Sequence, residues 1–220
     1  MKIGIFGGTF DPIHSGHMAV ARAAVRRFRL DRIYFVPSGT PPHKSHHRLT
    51  AFLHRYTMVA LACSDEPRFV PSLLEAGPDL TGRARHYSVD TVRHLRRRWP
   101  RAHLYFILGA DQFLTLPAWK NYRTLSKLCD FMVAARPGFR LDSLRAARVI
   151  RKLGEHARVY LLTAVHADVS ASRIRQLARR GGLVRSGRAR PALRDWPAAA
   201  GWVLPAVADY IRSTGLYRRS

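Results

Sequence analysis

Along the first forty residues the period of the apolar positions changes twice. Residues 2–6 form a short apolar run of the kind that makes a buried strand. Over 16–29, Met18, Ala21, Ala24, Val25 and Phe28 recur at the three-to-four spacing of one helix face. Residues 32–37 (RIYFVP) return to a strand. Strand, helix and strand in that order predict a βαβ unit, because parallel strands need the crossover that the helix supplies. The alternation then continues. Residues 50–64 read as helix and 69–75 as extended, and Ser88 is placed to cap a helix over 89–98 that stops before Pro100. Residues 103–108 (HLYFIL) are apolar on both faces, as in a covered parallel sheet. Strands over 130–135 and 158–163 and helices over 143–153 and 171–180 complete the pattern. It is that of an α/β fold with a doubly wound parallel sheet and helices on both faces, which collects ligands at the carboxyl ends of its strands. Residues 181–201 are rich in Gly, Arg, Pro and Ala and read as a loop insert. A closing helix begins at 203 and ends a small C-terminal helical extension near 217. With no internal repeat, the expectation is a single domain over 1–220.

Composition narrows the class. A hydrophobic fraction of 47% over 220 residues supports a packed core. No stretch approaches the ~18 apolar residues of a membrane span, so no membrane partner is expected. Residues 1–8 are too short and too glycine-rich for a secretion signal, which predicts a cytoplasmic protein. Cys63 and Cys129 stand in apolar stretches and read as buried, reduced thiols. The net charge of +24 suits either a nucleic-acid surface or an enzyme that handles anions. Runs such as Arg96–Arg97–Arg98 and Arg179–Arg180 lack interleaved aromatics, so no specific nucleic-acid partner is expected.

Two segments carry chemistry. The first, Gly7-Gly8-Thr9-Phe10-Asp11-Pro12-Ile13-His14-Ser15-Gly16-His17, leaves a strand and opens a helix. Its main-chain N–H groups and the helix dipole face the ligand edge of the sheet. Gly7 and Gly8 permit a phosphate to approach the main chain, and His14 and His17, three apart, can turn toward one spot. Two imidazole donors there suit a pentavalent phosphorus centre. A metal site would need a third ligand, and an acyl-transfer site would need a nucleophile elbow; neither pattern accompanies the pair. The second segment is Val169-Ser170-Ala171-Ser172-Arg173-Ile174-Arg175. Ser170 can cap the following helix, and Ser172 and Arg175 can meet on its first turn, where hydroxyl, amide and guanidinium converge on an anion.

The segment GTFDPIHSGH resembles the signature of the nucleotidylyltransferase superfamily with the (H/T)xGH motif, whose members share a Rossmann-like fold. The second segment is similar to that superfamily's ISSTxIR motif for the ATP phosphates, with Ala171 for its second serine and Ser172 for its threonine. Four further stretches resemble the bacterial nicotinate-nucleotide adenylyltransferases: Pro41-Pro42-His43-Lys44, Tyr87-Ser88-Val89-Asp90-Thr91, residues 106–119 with Arg136-Pro137-Gly138, and the ending Tyr210-Ile211…Gly215-Leu216-Tyr217. The resemblance implies an enzyme that converts ATP and nicotinate mononucleotide to nicotinate adenine dinucleotide and pyrophosphate, with Mg²⁺. It implies His14, His17, Lys44 and Arg175 as catalytic groups. On the ATP side it implies Gly7, Gly8, Thr9, Phe10, His14, His17, Gly109, Asp111, Ser170, Ser172 and Arg175. Lys44, Ser88, Trp119 and Lys120 would face the mononucleotide, and no metal would be held by the chain itself. At single positions plainer readings stand beside these: a helix cap at Asp111, a core ring at Trp119, an ordinary exposed lysine at Lys44. The rivals are phosphopantetheine adenylyltransferase within the superfamily and a basic nucleic-acid-binding module outside it. The insert over 183–201 is a departure from the family, about a dozen residues longer than its usual linker.

Overall fold

The structure is a computed structural model, and it describes residues 1–39, 49–76, 86–135, 140, 142–162, 169–181 and 201–218. The chain runs β1 (Lys2–Gly8), α1 (Ser15–Phe28), β2 (Arg32–Pro37), α2 (Phe52–Cys63), β3 (Phe69–Pro71) and α3 (Ser88–Arg98). It continues through β4 (His103–Gly109), α4 (Ala110–Thr115), α5 (Tyr122–Leu128), β5 (Asp130–Ala134), α6 (Leu144–Leu153), β6 (Val159–Leu162), α7 (Ala171–Gly181) and α8 (Pro205–Thr214). All six strands lie parallel in one sheet, in the order β3-β2-β1-β4-β5-β6. The chain builds outward from β1 on one side, returns, and builds outward from β4 on the other. β1 and β4 therefore flank the point where the winding reverses, the place where such sheets open a crevice for ligands.

Strand side chains alternate between two cores. Leu104, Phe106 and Leu108 of β4 pack with Val92, Leu95, Phe113, Leu125 and Val149 on one face. Tyr105 and Ile107 pack with Met18, Ala21, Met58, Ile174, Val207 and Ile211 on the other. Each such fully buried Ile, Leu or Phe contributes about 1.5–3 kcal/mol, so both faces need their helices. The predicted doubly wound sheet with helices on both faces is what the chain forms. Among the described residues no helix is long and apolar enough to cross a membrane.

Several boundaries differ from expectation. β3 ends at Pro71, the Ser72 amide makes a last bond to the Phe35 carbonyl at 2.9 Å, and the chain turns as the Ala76 amide donates to the Leu73 carbonyl. Ser88 is the first residue of α3 and not its cap. Tyr87 takes the cap position with extended backbone, and its carbonyl accepts from the amides of Asp90 and Thr91. The short helices α4 and α5 have too few turns to show a period in the sequence. At the predicted insert, α7 runs to Gly181 and residues 182–200 lie outside the described residues. The closing helix α8 buries Val207, Ala208 and Ile211 in the main core.

Candidate active site

The turn after β1 is shaped by aromatic rings. Phe10 takes left-handed backbone, φ 47°, and folds its ring back over Gly8, where a Cβ would stand 3.0 Å from it. At Gly7 a Cβ would stand 3.3 Å from the Phe106 ring. These close contacts are why the two residues are glycines. His14 then caps α1, its carbonyl accepting from the amides of His17 at 2.9 Å and Met18 at 3.2 Å. The two imidazoles stack with centroids 3.6 Å apart, and the edges of Phe6 and Phe10 enclose His17. The His14 amide donates to Nδ1 of His17 at 3.2 Å. Nδ1 is thus the acceptor, and the proton of the neutral ring sits on Nε2. Burial, and then the neighbouring His14, hold the His17 pKa well below the usual histidine range. At neutral pH His17 is an uncharged N–H donor.

The second segment reaches the same place from the far side of the sequence. Ser170 caps α7, its hydroxyl accepting from the Arg173 amide at 3.3 Å. One turn on, the Arg175 guanidinium donates to the Asp11 carbonyl at 2.6 Å and to the Ser172 hydroxyl at 3.4 Å. The first bond spans 164 residues and joins the two segments. Ala171 presents no hydroxyl at its position. Arg175 is half-buried and Ser172 exposed.

A frame around these groups was not read from the sequence. Asp11 is 4% exposed, and its carboxylate accepts from the Tyr217 hydroxyl at 2.7 Å and the Thr50 amide at 3.3 Å. Arg55 is 2% exposed, and its guanidinium donates to the carbonyls of Thr50 and Thr9 at 2.9 Å and of Gly39 at 3.3 Å. Burial lowers its pKa, which nearby Asp11 partly offsets. The Gly39 amide and the Thr91 hydroxyl, at 2.7 Å, bond to the Glu75 carboxyl, which burial pushes up to about 7. One signal was available: Arg55, Met58, Val59 and Ala62 share a helix face, and a charged residue on a buried stripe needs partners.

Across the reversal point lies a second group. β4 and β1 pair with Phe6 beside Ile107, so Gly8 and Gly109 end at one sheet edge. Gly109 caps α4, and Asp111 is exposed in its first turn. Trp119 is half-buried with its ring edge-on to Phe106, centroids 5.9 Å apart. Lys120 holds its ammonium 4.4 Å from the centre of the Tyr87 ring. The amides of Ser88 and Val89 open α3, where no residue of the same helix can accept from them. The structure thus gathers Ser88, Trp119 and Lys120 around Tyr87 and Phe106, with Phe106 against Gly7. Lys44 and Arg136-Pro137-Gly138 lie outside the described residues.

Residues 5–177 match the cytidylyltransferase-like family. The chain is 39% identical to a probable nicotinate-nucleotide adenylyltransferase of Moorella thermoacetica, over 99% of this chain and 92% of the relative. It is 36% identical to one of Citrifermentans bemidjiense, over 99% of this chain and 98% of the relative. The chain belongs to the nicotinate-nucleotide adenylyltransferase family. Its fold is also that of the Plasmodium falciparum nicotinic acid mononucleotide adenylyltransferase complexed with NaAD, with TM-score 0.70 and 21% identity, covering 98% of this chain and 97% of the other.

In this member of the family the donor set is built for oxyanions. His17 and Arg175 offer N–H groups, whereas Mg²⁺ takes oxygen ligands. Among the described residues no group of three or more His, Cys, Asp or Glu could hold a metal ion. Both carboxylate oxygens of Asp11, whose carbonyl joins the two segments, already accept hydrogen bonds. The residues present fit a divalent ion that arrives on phosphate oxygens. Cys63 and Cys129 are buried free thiols, with burial raising the Cys63 pKa to about 12 and that of Cys129 further.

Proposed function

We propose that the chain transfers the adenylyl group of ATP to nicotinate mononucleotide, releasing pyrophosphate and giving nicotinate adenine dinucleotide for NAD synthesis in the cytoplasm. The observation that supports this reading is the Arg175 bond to the Asp11 carbonyl, which ties the second segment to the turn three residues before His14. A phosphate oxygen of the mononucleotide attacks the α-phosphorus of ATP in line. The new P–O bond forms as the bond from the α-phosphorus to the bridging oxygen breaks, and that oxygen leaves with pyrophosphate. The attacking oxygen is ionised near neutral pH, so no side chain need remove a proton. Catalysis then rests on positioning and on donors aimed where charge develops.

His17, neutral and protonated at Nε2, donates without competing for a proton. His14 supports the ring by stacking and through its amide. Arg175, the Ser170 and Ser172 hydroxyls and Lys44 take the phosphates. Gly7, Gly8, Thr9 and Phe10 line the main-chain side of the adenylyl group. Asp111, beside Gly109 at the end of β4, is placed for ribose hydroxyls. Trp119 offers a face for the pyridine ring, and the amides at Ser88 and Val89 receive its carboxylate, with the Lys120 ammonium over the neighbouring Tyr87 ring. Mg²⁺ carried by the ATP phosphates would neutralise part of their charge.

The test is pyrophosphate release from ATP with nicotinate mononucleotide, and in parallel with its amide and with phosphopantetheine. Two main-chain donors match a carboxylate, while a carboxamide turns its NH₂ against one of them and leaves both unpaired, at about 1–3 kcal/mol each. The acid should therefore exceed the amide at least tenfold in kcat/KM. Equal values would remove the Ser88 assignment, and turnover of phosphopantetheine alone would replace the proposed substrate.

A further inference from the structure

The ending of the chain, Tyr210-Ile211…Gly215-Leu216-Tyr217, has no part in the mechanism above, yet the structure runs it into the site. After α8, Gly215 and Tyr217 both adopt left-handed backbone, φ 68° and 67°. For tyrosine that conformation is uncommon and persists where surrounding contacts hold it. Tyr217 is half-buried, and its hydroxyl donates to Oδ1 of Asp11 at 2.7 Å across 206 residues. Trp202, just before α8, touches both helix starts that the proposed reaction turns toward phosphate. The Trp202 carbonyl accepts from the Ser15 amide, the first of α1, at 2.8 Å. The Trp202 ring lies under the Arg173 guanidinium of α7 at 4.6 Å. The Tyr210 hydroxyl pairs with Nδ1 of His54 on α2 at 2.7 Å.

We propose that Tyr217 is a positioning residue of the reacting site, acting through Asp11 on Arg175. The inference rests on the adenylyl-transfer reading for the identity of the anion that Arg175 meets. Its argument is geometric. One nitrogen of Arg175 is committed to the Asp11 carbonyl at 2.6 Å, so the Asp11 main chain decides where the other guanidinium N–H groups point. That main chain is held by its own side chain, whose two oxygens are fixed by Tyr217 and by the Thr50 amide. Asp11 is almost fully covered, so loss of the Tyr217 hydroxyl leaves a carboxylate oxygen to find a new donor by moving. Burial and the Asp11 charge raise the Tyr217 pKa, so the hydroxyl keeps its proton as donor throughout the working range.

The experiment compares wild type with Tyr217→Phe, which keeps the ring and removes the hydroxyl. With rates normalised to folded protein by thermal melting, kcat/KM for ATP should fall about tenfold, within the span reported for residues that act on a site through others. The KM for nicotinate mononucleotide should stay within about twofold, since the Tyr217 bond runs to Asp11 and not to Trp119. In an Arg175→Lys background the added loss from Tyr217→Phe should shrink below about twofold, because the group it positions is gone. Wild-type ATP kinetics in Tyr217→Phe, losses that multiply in the double variant, or an equal rise in both KM values would overturn the inference. If wild type releases no pyrophosphate, the proposed reaction fails on its own, and calorimetric binding of Mg-ATP decides the matter. A Kd about tenfold higher in Tyr217→Phe supports the positioning role; equal Kd values, or no ATP binding by wild type, refute it.

Discussion

Replacing Arg55 by methionine tests the frame of the site, and the structure sets its size. The guanidinium is buried at 2% exposure and donates to three main-chain carbonyls, those of Thr9, Gly39 and Thr50. A hydrogen bond from a charged donor contributes about 1.5–3 kcal/mol, so three sum to about 4–9 kcal/mol. Against this stands the desolvation of the guanidinium itself, several kcal/mol, which methionine does not incur. Some of the abandoned carbonyls will also recover water. A net loss of about 3 kcal/mol follows from these terms. In a chain of this size 1 kcal/mol moves Tm by about 2–4 °C, so Arg55→Met should melt about 6–12 °C below wild type. Arg55→Lys keeps the charge but cannot span three acceptors, and should fall between the two. Scanning calorimetry without substrates, at one pH, measures all three proteins. A methionine variant melting within about 2 °C of wild type would refute the reasoning, for it would mean that desolvation cancels the bonds.

Two further perturbations address the reacting groups. His17→Ala should lower kcat by roughly two or more orders of magnitude in folded enzyme, the usual effect of deleting a transition-state donor, with a smaller change in KM for ATP; an unchanged kcat removes His17 from the mechanism. Because the folded pKa of His17 is depressed, its contribution to stability is present above its unfolded pKa, about 6.5, and is lost as pH falls. Glu75, with a folded pKa raised to about 7, acts in the opposite sense and loses its contribution as pH rises from about 4.5. The observable is therefore the stability difference between wild type and His17→Gln, measured by urea unfolding, which should shrink between pH 7 and pH 5; a flat difference would refute the shift. Arg175→Lys should lose at least about tenfold in kcat/KM for ATP, since an ammonium cannot hold the Asp11 carbonyl and a phosphate in one planar fork. Unchanged kinetics there would make Arg175 a surface charge.

What the sequence made legible followed from periodicity and from short motifs. β4 alternates its side chains between two cores, and α1 shows one buried stripe, so both leave a period that survives in the letters. The first and second segments are local too: a strand end, a turn and a helix start lie within a dozen residues of one another. Ser88 was misplaced by one position because a serine before an apolar run looks like a cap, and Tyr87 served with its carbonyl alone. Asp11 and Tyr217 stand in the quoted motifs and Arg55 on a buried helix face, but the bonds that join them left no such trace. Those bonds span from 5 residues, between Arg55 and Thr50, to 206, between Tyr217 and Asp11.

That silence has a physical reason. Arg55 and Arg175 reach main-chain oxygens, and every residue carries one of those whatever its side chain. A donor that bonds to carbonyls imposes no residue type on its partners, so Thr9, Gly39 and Thr50 carry no mark of Arg55. Gly39 is constrained for another reason, since a Cβ there would stand 2.5 Å from the Glu75 carbonyl oxygen. The same choice of acceptors serves the chemistry. Carbonyls neutralise no charge, so in the proposed reaction Arg175 would meet an incoming phosphate with its direction fixed and its charge not cancelled by this acceptor. A carboxylate partner would have fixed the direction equally well and cancelled the field. The carboxylate of Asp11 is instead turned toward Tyr217 and Thr50, and Asp11 offers Arg175 only its carbonyl. Separating direction from charge in this way is what an electrostatic catalyst with no general base requires, and only the folded chain displays it.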